Sequence, residues 1–344
     1  MMKTILNHEY PQPGEAKLIE EMVAVAVERM KPQEGRIRRG QHAKATGCVQ
    51  GVFTIRDDVA DELRYGVFKQ PKRSFHAIVR FSNASESFYP DGRGDARGMA
   101  VKLLDVDGEP AMPGIKNRHQ DFVTVNLPVF PFATPADYVR FFDIRATPVV
   151  GDLLAGAWFA LFHAGNLTSV VPLVSETVAS PLMTYWSGSP YWLGPAGTSG
   201  GHAVKYSFVP RFDGAASPPE EPTSKTDDYL SHTLAHYLRT QKAVFEFRVQ
   251  LQTDALAMPV EDTSVEWDED VSKPISVATL TIPAQDVDSS AGRALAEEGE
   301  TMTFSPWNAL AEHRPMGGIN RMRQAVYVAS QKERAVKRAA KSLS

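Results

Sequence analysis

Apolar residues between Glu15 and Met30 recur at helical spacing (Leu18, Met22, Val25 and Ala26, with Val23 alongside), which predicts an amphipathic helix. The period then changes. Cys48–Ile55, His76–Phe81, Met99–Val106 and Asp121–Val125 are short, rich in β-branched or aromatic residues, and separated by Gly, Pro and Asp, which predicts strands of an antiparallel sheet. Pro135 to Val174 predicts a largely helical stretch. It opens with "TPADYVRFF", a Thr cap followed by Pro at the first helical position. A second set of strands is predicted over Ala203–Pro210, Val244–Gln252 and Ile275–Thr281, with a helix over Asp227–Leu238 between them. "DGAASPPEEPTSKTDD" (213–228) reads as a loop inserted between elements, and Gly317 to Lys341 as a C-terminal helix. Eight or so short antiparallel strands, with helices before and after, predict an α+β fold: a closed eight-stranded β-barrel wrapped by helices. The expected organisation is one domain over residues 1–344. It comprises an N-terminal helical arm (1–35), a barrel with inserted helices (36–282) and a C-terminal segment that carries the last helix (283–344).

Composition narrows the class. The chain has 344 residues, 43% of them hydrophobic, enough for a large core. A formal net charge of -4 argues against a general nucleic-acid binder. Cys48 is the one cysteine, which excludes an internal disulfide framework and a cysteine-based metal cluster. The first residues carry only the apolar pair Ile5 and Leu6, too little for a secretory leader. The most apolar window, Asp152 to Val174, is interrupted by His163, Gly165 and Asn166 and suits a buried helix better than a membrane span. A cytoplasmic location is expected, with no membrane span.

Two groups of residues carry candidate chemistry. "RRGQHAKATG" (38–47) surrounds His42 with Arg39 and Lys44, just before a strand. Period-two alternation puts Ile78, Arg80 and Ser82 of "VRFSNA" on one strand face, from which Ser82 can hydrogen-bond one nitrogen of His42 and leave the other for proton transfer. Arg39 and Arg80 are suited to holding carboxylates. Taken alone, the first segment reads as a solvated basic loop. In "RMRQAVY", Arg323 and Tyr327 are four residues apart and therefore adjacent on a helix. A guanidinium beside a phenol favours the phenolate, one of the few protein ligands of haem iron. Arg334 follows on the same face. Taken alone, this is an ordinary surface Arg–Tyr pair. Other motifs carry less. His232 and His236 in "HTLAH" have the spacing of a metal pair but no following Glu and no third ligand, so they read as surface histidines. "GRGDARG" (92–98) is followed by a strand and reads as a tight turn, not a dinucleotide loop.

Together the motifs are specific. "RRGQHAKATGCVQGVF", "VRFSNA", "GDARGMAVKLLDVDG", "VNLPVFPF" and "RMRQAVY" occur in the order and rough spacing of haem catalases. From about Arg38 to Arg338 the chain resembles the small catalase-related peroxidases of bacteria. The resemblance implies an antiparallel barrel wrapped by helices and a haem b (iron protoporphyrin IX) cofactor. It implies His42 as the distal histidine, Ser82 as its partner, and Asn126 as the distal asparagine that holds the peroxide. It implies Arg39, Arg80 and Arg334 as the residues that bind the haem propionates, with Gln41 beside the cofactor. It implies Tyr327 as the iron ligand, backed by Arg323. The expected activity is reduction of hydrogen peroxide or organic hydroperoxides through a ferryl intermediate, at the expense of a small organic electron donor, with weak catalase activity. Isomerisation or lyase cleavage of fatty-acid hydroperoxides, as in allene oxide synthases, is the second reading, and a non-enzymatic haem carrier or sensor the third. A homo-oligomer is compatible with all three.

The sequence also departs from the family pattern. Gln41 stands where large catalases have an apolar Val before the distal histidine. "VNLP" replaces a double Asn before Thr-Pro, which leaves the register of Asn126 open by one residue. Gly317 stands where an Asp supports the proximal Arg, and the long C-terminal domain of large catalases has no counterpart here. Fast hydrogen peroxide dismutation is therefore not expected.

Overall fold

A computed structural model describes residues 5–30, 39–114, 118–146, 150, 154–155, 178–212, 218–220 and 224–342, with side chains as far as residue 337 in the last helix. The strands are β1 (Ala45–Ile55), β2 (Ser74–Asn83), β3 (Arg97–Leu103), β4 (Gln120–Val125), β5 (Tyr185–Trp186), β6 (Tyr191–Leu193), β7 (His202–Arg211), β8 (Ala243–Leu251) and β9 (Ile275–Ile282). The helices are α1 (Glu15–Glu28), α2 (Pro135–Arg145), α3 (Tyr229–Leu238), α4 (Ser290–Thr301) and α5 (Gly318–Ser342). The sheet runs β5-β4-β3-β2-β1-β9-β8-β7 and closes because β5 also pairs with β7. Every pairing is antiparallel. This is the expected eight-stranded barrel, with β6 added on the edge of β7. Closure leaves no barrel strand as an open edge.

Alternation along the strands separates two environments. Phe53, Val79, Val101, Phe122 and Phe247 point inward and are fully buried in one core. Phe122 and Phe247 pack with ring centroids 4.8 Å apart. Each such side chain contributes roughly 1.5–3 kcal/mol by leaving water. The intervening residues of β2 and β3, including Arg80, Ser82, Gly98 and Ala100, point outward. α1, α2 and α5 pack beside this outer wall around Met22, Tyr138, Phe142, Ile319 and Met322. α2 begins at a capping box in which Thr134 and Asp137 satisfy each other's backbone N–H, with Pro135 at the first position, as the sequence predicts. Arg321 fastens the N-terminal arm to the start of α5. It pairs with Glu15 (2.8 Å), Glu9 (2.7 Å) and Glu261 (2.9 Å). Hydrogen bonding to Arg321 holds the Glu15 carboxyl below its usual range in spite of burial.

The structure differs from the sequence-based expectation at several points. β5, β6 and α4 were not expected. β5 and β6 have two and three residues, too few to show a period, and α4 (SAGRALAEEGET) is polar on most of its surface. α2 ends at Arg145, and most of the predicted continuation to Val174 lies outside the described residues, as does part of the 213–228 loop. Lys44 does not join the groups around His42. It turns away to pair with buried Asp91 (2.8 Å) and exposed Asp228 (2.9 Å), joining the start of β1 to the start of α3.

The barrel core also encloses His313. Its Nε2 accepts a hydrogen bond from Val67 N–H at 2.9 Å, and Tyr206 Oη lies 3.4 Å from its Nδ1. Gly66 (φ +52°) is required beside it, because a Cβ there would lie 2.3 Å from Nε2. Burial pushes the His313 pKa down to about 3 from an ordinary 6.5. Between these values the unfolded chain takes up a proton that the folded chain refuses, so acid favours unfolding. The stability due to neutral His313 is therefore fully present above pH 6.5 and drains away as pH falls toward 3. Denaturant unfolding between pH 7 and pH 4 should show this loss. His313→Phe should make the pH slope shallower and lower stability at pH 7 by about 1–3 kcal/mol, because Val67 N–H loses its acceptor.

Candidate active site

A cleft lies between the outer wall of β2–β4 and the layer formed by α1, α2 and α5. It holds about 1040 Å³ of atom-free space, its open mouth included. Met22, Ala26, Val123, Phe142 and Val326 supply apolar lining, and Arg39, Arg80, Arg334, His42 and Tyr327 supply polar lining.

His42 is presented from the barrel side. It precedes β1 and has φ +54°, a left-handed conformation that costs a non-glycine residue about 1–2 kcal/mol. Surrounding bonds hold it there. His42 N–H donates to Ala84 O (3.0 Å), Ala43 N–H to Ser85 O (3.2 Å), and Arg80 Nη2 to His42 O (3.1 Å). Nδ1 lies 3.0 Å from Ser82 Oγ, as the alternation along β2 predicts. That contact leaves Nε2 as the nitrogen for chemistry in the cleft. The ring lies over Gly98, which pairs with Ser82 across β2 and β3. A Cβ at Gly98 would stand 2.5 Å from Nδ1 and Cε1, so the imidazole occupies the space of the missing side chain. His42 is half-buried and its accessible part faces the cleft. Burial, then the charges of Arg80, Arg323 and Arg39, lower its pKa to about 3. It is neutral at pH 7 and can accept a proton.

α5 forms the opposite side. Arg323, Tyr327, Ser330 and Arg334 lie four, three and four residues apart, one stripe of a helix. Tyr327 and Arg334 line the cleft, and Arg323 lies behind Tyr327 with Nη2 3.4 Å from the phenolic oxygen. Burial acts to lower the Arg323 pKa, yet Tyr327 and Tyr191 hold it above the ordinary value. Gly317 has φ +85°, and a Cβ there would stand 2.5 Å from Val260 O, so no side chain can support Arg323 from that position.

Arg39 and Arg80 come from the barrel side and share α4 as a partner. Arg39 Nη2 donates to the carbonyls of Gly299 (2.8 Å) and Met302 (2.5 Å) at the helix C-terminus, where a cation is favoured. Arg80 Nη2 lies 3.2 Å from Glu300 Oε1. Gln41 is exposed at the mouth and donates from Nε2 to Tyr138 Oη at 2.8 Å. Burial raises the Tyr138 pKa to about 12, so this phenol stays neutral.

Of the residues singled out in the sequence, His42, Ser82, Arg39, Arg80, Arg334, Gln41 and Tyr327 meet at the cleft, with Arg323 directly behind. Asn126 is outside the lining. It is buried, and its Oδ1 accepts Arg97 N–H at 2.6 Å, bracing the start of β3 next to Gly98. His232 and His236 are exposed on α3, and among the described residues no cluster of His, Cys, Asp or Glu is arranged to hold a metal. Gly98, Tyr138 and Glu300 were not anticipated. A glycine within a strand pattern is a signal for close approach and marks Gly98, whereas nothing local marks Tyr138 or Glu300.

The donor set suits a flat apolar group with carboxylates at its edge. The guanidinium groups of Arg39, Arg80 and Arg334 are among those that meet an apolar cleft, small residues (Gly98, Ala100) line the barrel wall, and a phenol comes from the helical side. Residues 14–147 match the Catalase family. A catalase-related peroxidase of Mycolicibacterium paratuberculosis is 27% identical over 303 residues, covering 86% of this chain and 88% of the relative. A fungal catalase superposes with a TM-score of 0.68 at 19% identity over 97% of this chain and 66% of its own. Catalase A of Saccharomyces cerevisiae gives 0.68 at 17% identity, with coverage of 97% and 68%. A bacterial catalase gives 0.64 at 19% identity, with coverage of 94% and 61%. The chain thus spans about two thirds of the length of these catalases. The fold is a catalase-like barrel.

The close contact at Gly98 can be tested. Gly98→Ala should displace the imidazole from Ser82 or force β3 to move, at a cost of about 1–3 kcal/mol. Thermal unfolding should register the loss, and NMR of the His42 ring should show the hydrogen bond to Ser82 broken. A variant with wild-type stability and an intact His42–Ser82 contact would contradict the packing described.

Proposed function

We propose that the protein is a haem-dependent peroxidase that reduces hydrogen peroxide or organic hydroperoxides and has weak catalase activity. The observation that carries this reading is one apolar cleft with a neutral imidazole on its barrel side, a phenol backed by a guanidinium on its helical side, and the guanidinium groups of Arg39, Arg80 and Arg334 in its lining. The cofactor proposed is haem b. Tyr327 would ligate the iron, and Arg39, Arg80 and Arg334 would hold the two propionates by charge-assisted hydrogen bonds. When bound, the haem supplies the redox chemistry by which peroxide is reduced.

The residues of this chain supply the rest. His42 accepts the proton of an incoming hydroperoxide and delivers it to the departing oxygen, so that water or an alcohol leaves in place of an anion. Its depressed pKa keeps it unprotonated and ready to accept. Ser82 at Nδ1 and the close floor of Gly98 orient the ring. Arg323 directs positive charge at the oxygen of Tyr327, and Gln41, bonded to Tyr138, sets the polarity of the mouth. A small organic molecule serves as the electron donor.

Two substitutions separate the roles. Tyr327→Phe removes the ligand oxygen, so the loaded protein should lose haem or show a changed ferric spectrum. A wild-type spectrum at full occupancy would place the ligand elsewhere. His42→Ala should retain haem, since the imidazole is not the ligand. Peroxide-dependent oxidation of a phenolic donor, followed by stopped-flow absorbance, should then fall by roughly 10²-fold or more, the scale of a lost general acid–base. Undiminished turnover in that variant would refute the role of His42.

A further inference from the structure

Arg323 carries its charge in an unusual setting. Among the described residues no carboxylate pairs with it. Its Nη1 reaches two neutral acceptors, Asn320 Oδ1 at 3.1 Å and Ser189 Oγ at 3.3 Å, and its Nη2 faces Tyr327 Oη. Both acceptors are fully buried. The Asn320 amide cannot turn over. Its Nδ2 donates to Pro190 O (2.8 Å) and Met316 O (3.0 Å), which uses both of its N–H groups on carbonyls that cannot donate in return. Oδ1 must therefore face Arg323. Ser189 Oγ also lies 3.1 Å from the same Oδ1, so Ser189, Asn320 and Arg323 form a closed triangle of hydrogen bonds. A carboxylate at position 320 would turn an oxygen toward two carbonyl oxygens, so the site selects an uncharged amide.

We infer that Asn320, aided by Ser189, is the positioning residue that aims Arg323 at Tyr327 without neutralising it. An acidic partner would divide the guanidinium's charge between two anions. A neutral amide fixes the head group and leaves its field to the phenolic oxygen. The inference rests on the assignment of Tyr327 as the iron ligand.

The experiment uses haem-loaded protein and three variants: Tyr327→Phe, Asn320→Ala and Ser189→Ala. Resonance Raman bands of the iron-bound phenolate, the reduction potential of the iron, and the rate of haem transfer to an apomyoglobin acceptor are measured. Tyr327→Phe should abolish the phenolate bands. If the bands persist, the ligand assignment is overturned and the inference with it. Asn320→Ala frees Arg323 to swing away, so the bands should shift and the potential should become more negative. Haem transfer should quicken by about tenfold, the low end of the effect of losing an outer partner of a metal ligand. Ser189→Ala should shift bands and potential in the same direction by less. It leaves the bonds from Asn320 to Pro190 and Met316 intact, so it decides the matter if Asn320→Ala fails to fold. Wild-type bands and potential in Ser189→Ala, or in a folded Asn320→Ala, together with loss of the bands in Tyr327→Phe, would overturn the positioning role alone.

Discussion

Positive charge held beside an apolar cleft is the constraint around which this structure is arranged. Removing a guanidinium from water costs several kcal/mol unless other groups replace the lost hydration. Arg39 is met by carbonyls at the C-terminus of α4, Arg80 by Glu300 and by the His42 carbonyl, and Arg323 by Asn320, Ser189 and Tyr327. α4 therefore packs against β1 for an electrostatic reason as well as a steric one. Gly299 lies against Cys48, which allows the helix end to reach both arginines. The same concentration of charge, added to burial, keeps His42 neutral. A ligand with carboxylates at its edge would relieve what these arginines impose.

The barrel supplies the rigidity that such a site needs. Its interior is filled with aromatic and aliphatic side chains, and the cleft lies on its outer face. Residues placed there by strand alternation differ in consequence by single atoms. Ser82 has a hydroxyl at the right height for His42, and Gly98 beside it has no side chain to prevent the ring from settling. The left-handed backbone at His42 is held by hydrogen bonds from both sides, the pattern expected of strain that persists because its surroundings over-determine it. The helical layer completes the cleft, and the Arg321 cluster fixes where that layer begins.

Much of this was legible in the sequence because it repeats. The periods of α1 and α5 and the alternation of β1 to β4 and β7 to β9 placed Arg80 with Ser82, and Arg323 with Tyr327 and Arg334. Features set by three-dimensional proximity alone were not legible. β5 and β6 are defined by their pairing with β7, not by a period of their own. Glu300 and Tyr138 reach the site from elements whose docking no local pattern announces. Lys44 stands two residues from His42 yet points into the Asp91 cluster, because the chain crosses from a left-handed residue into a strand between them. Asn126 Oδ1 accepts from the backbone of Arg97, a bond that sequence spacing does not reveal.

The central claim is that the cleft between His42 and Tyr327 takes one haem. Titrating haem-free protein with haemin, followed by the Soret absorbance, tests it most directly. The account predicts a single saturating step at one equivalent per chain, weakened when Arg39, Arg80 and Arg334 are replaced by Ala. A titration with no saturable step, or one indifferent to those three arginines in folded protein, would contradict it.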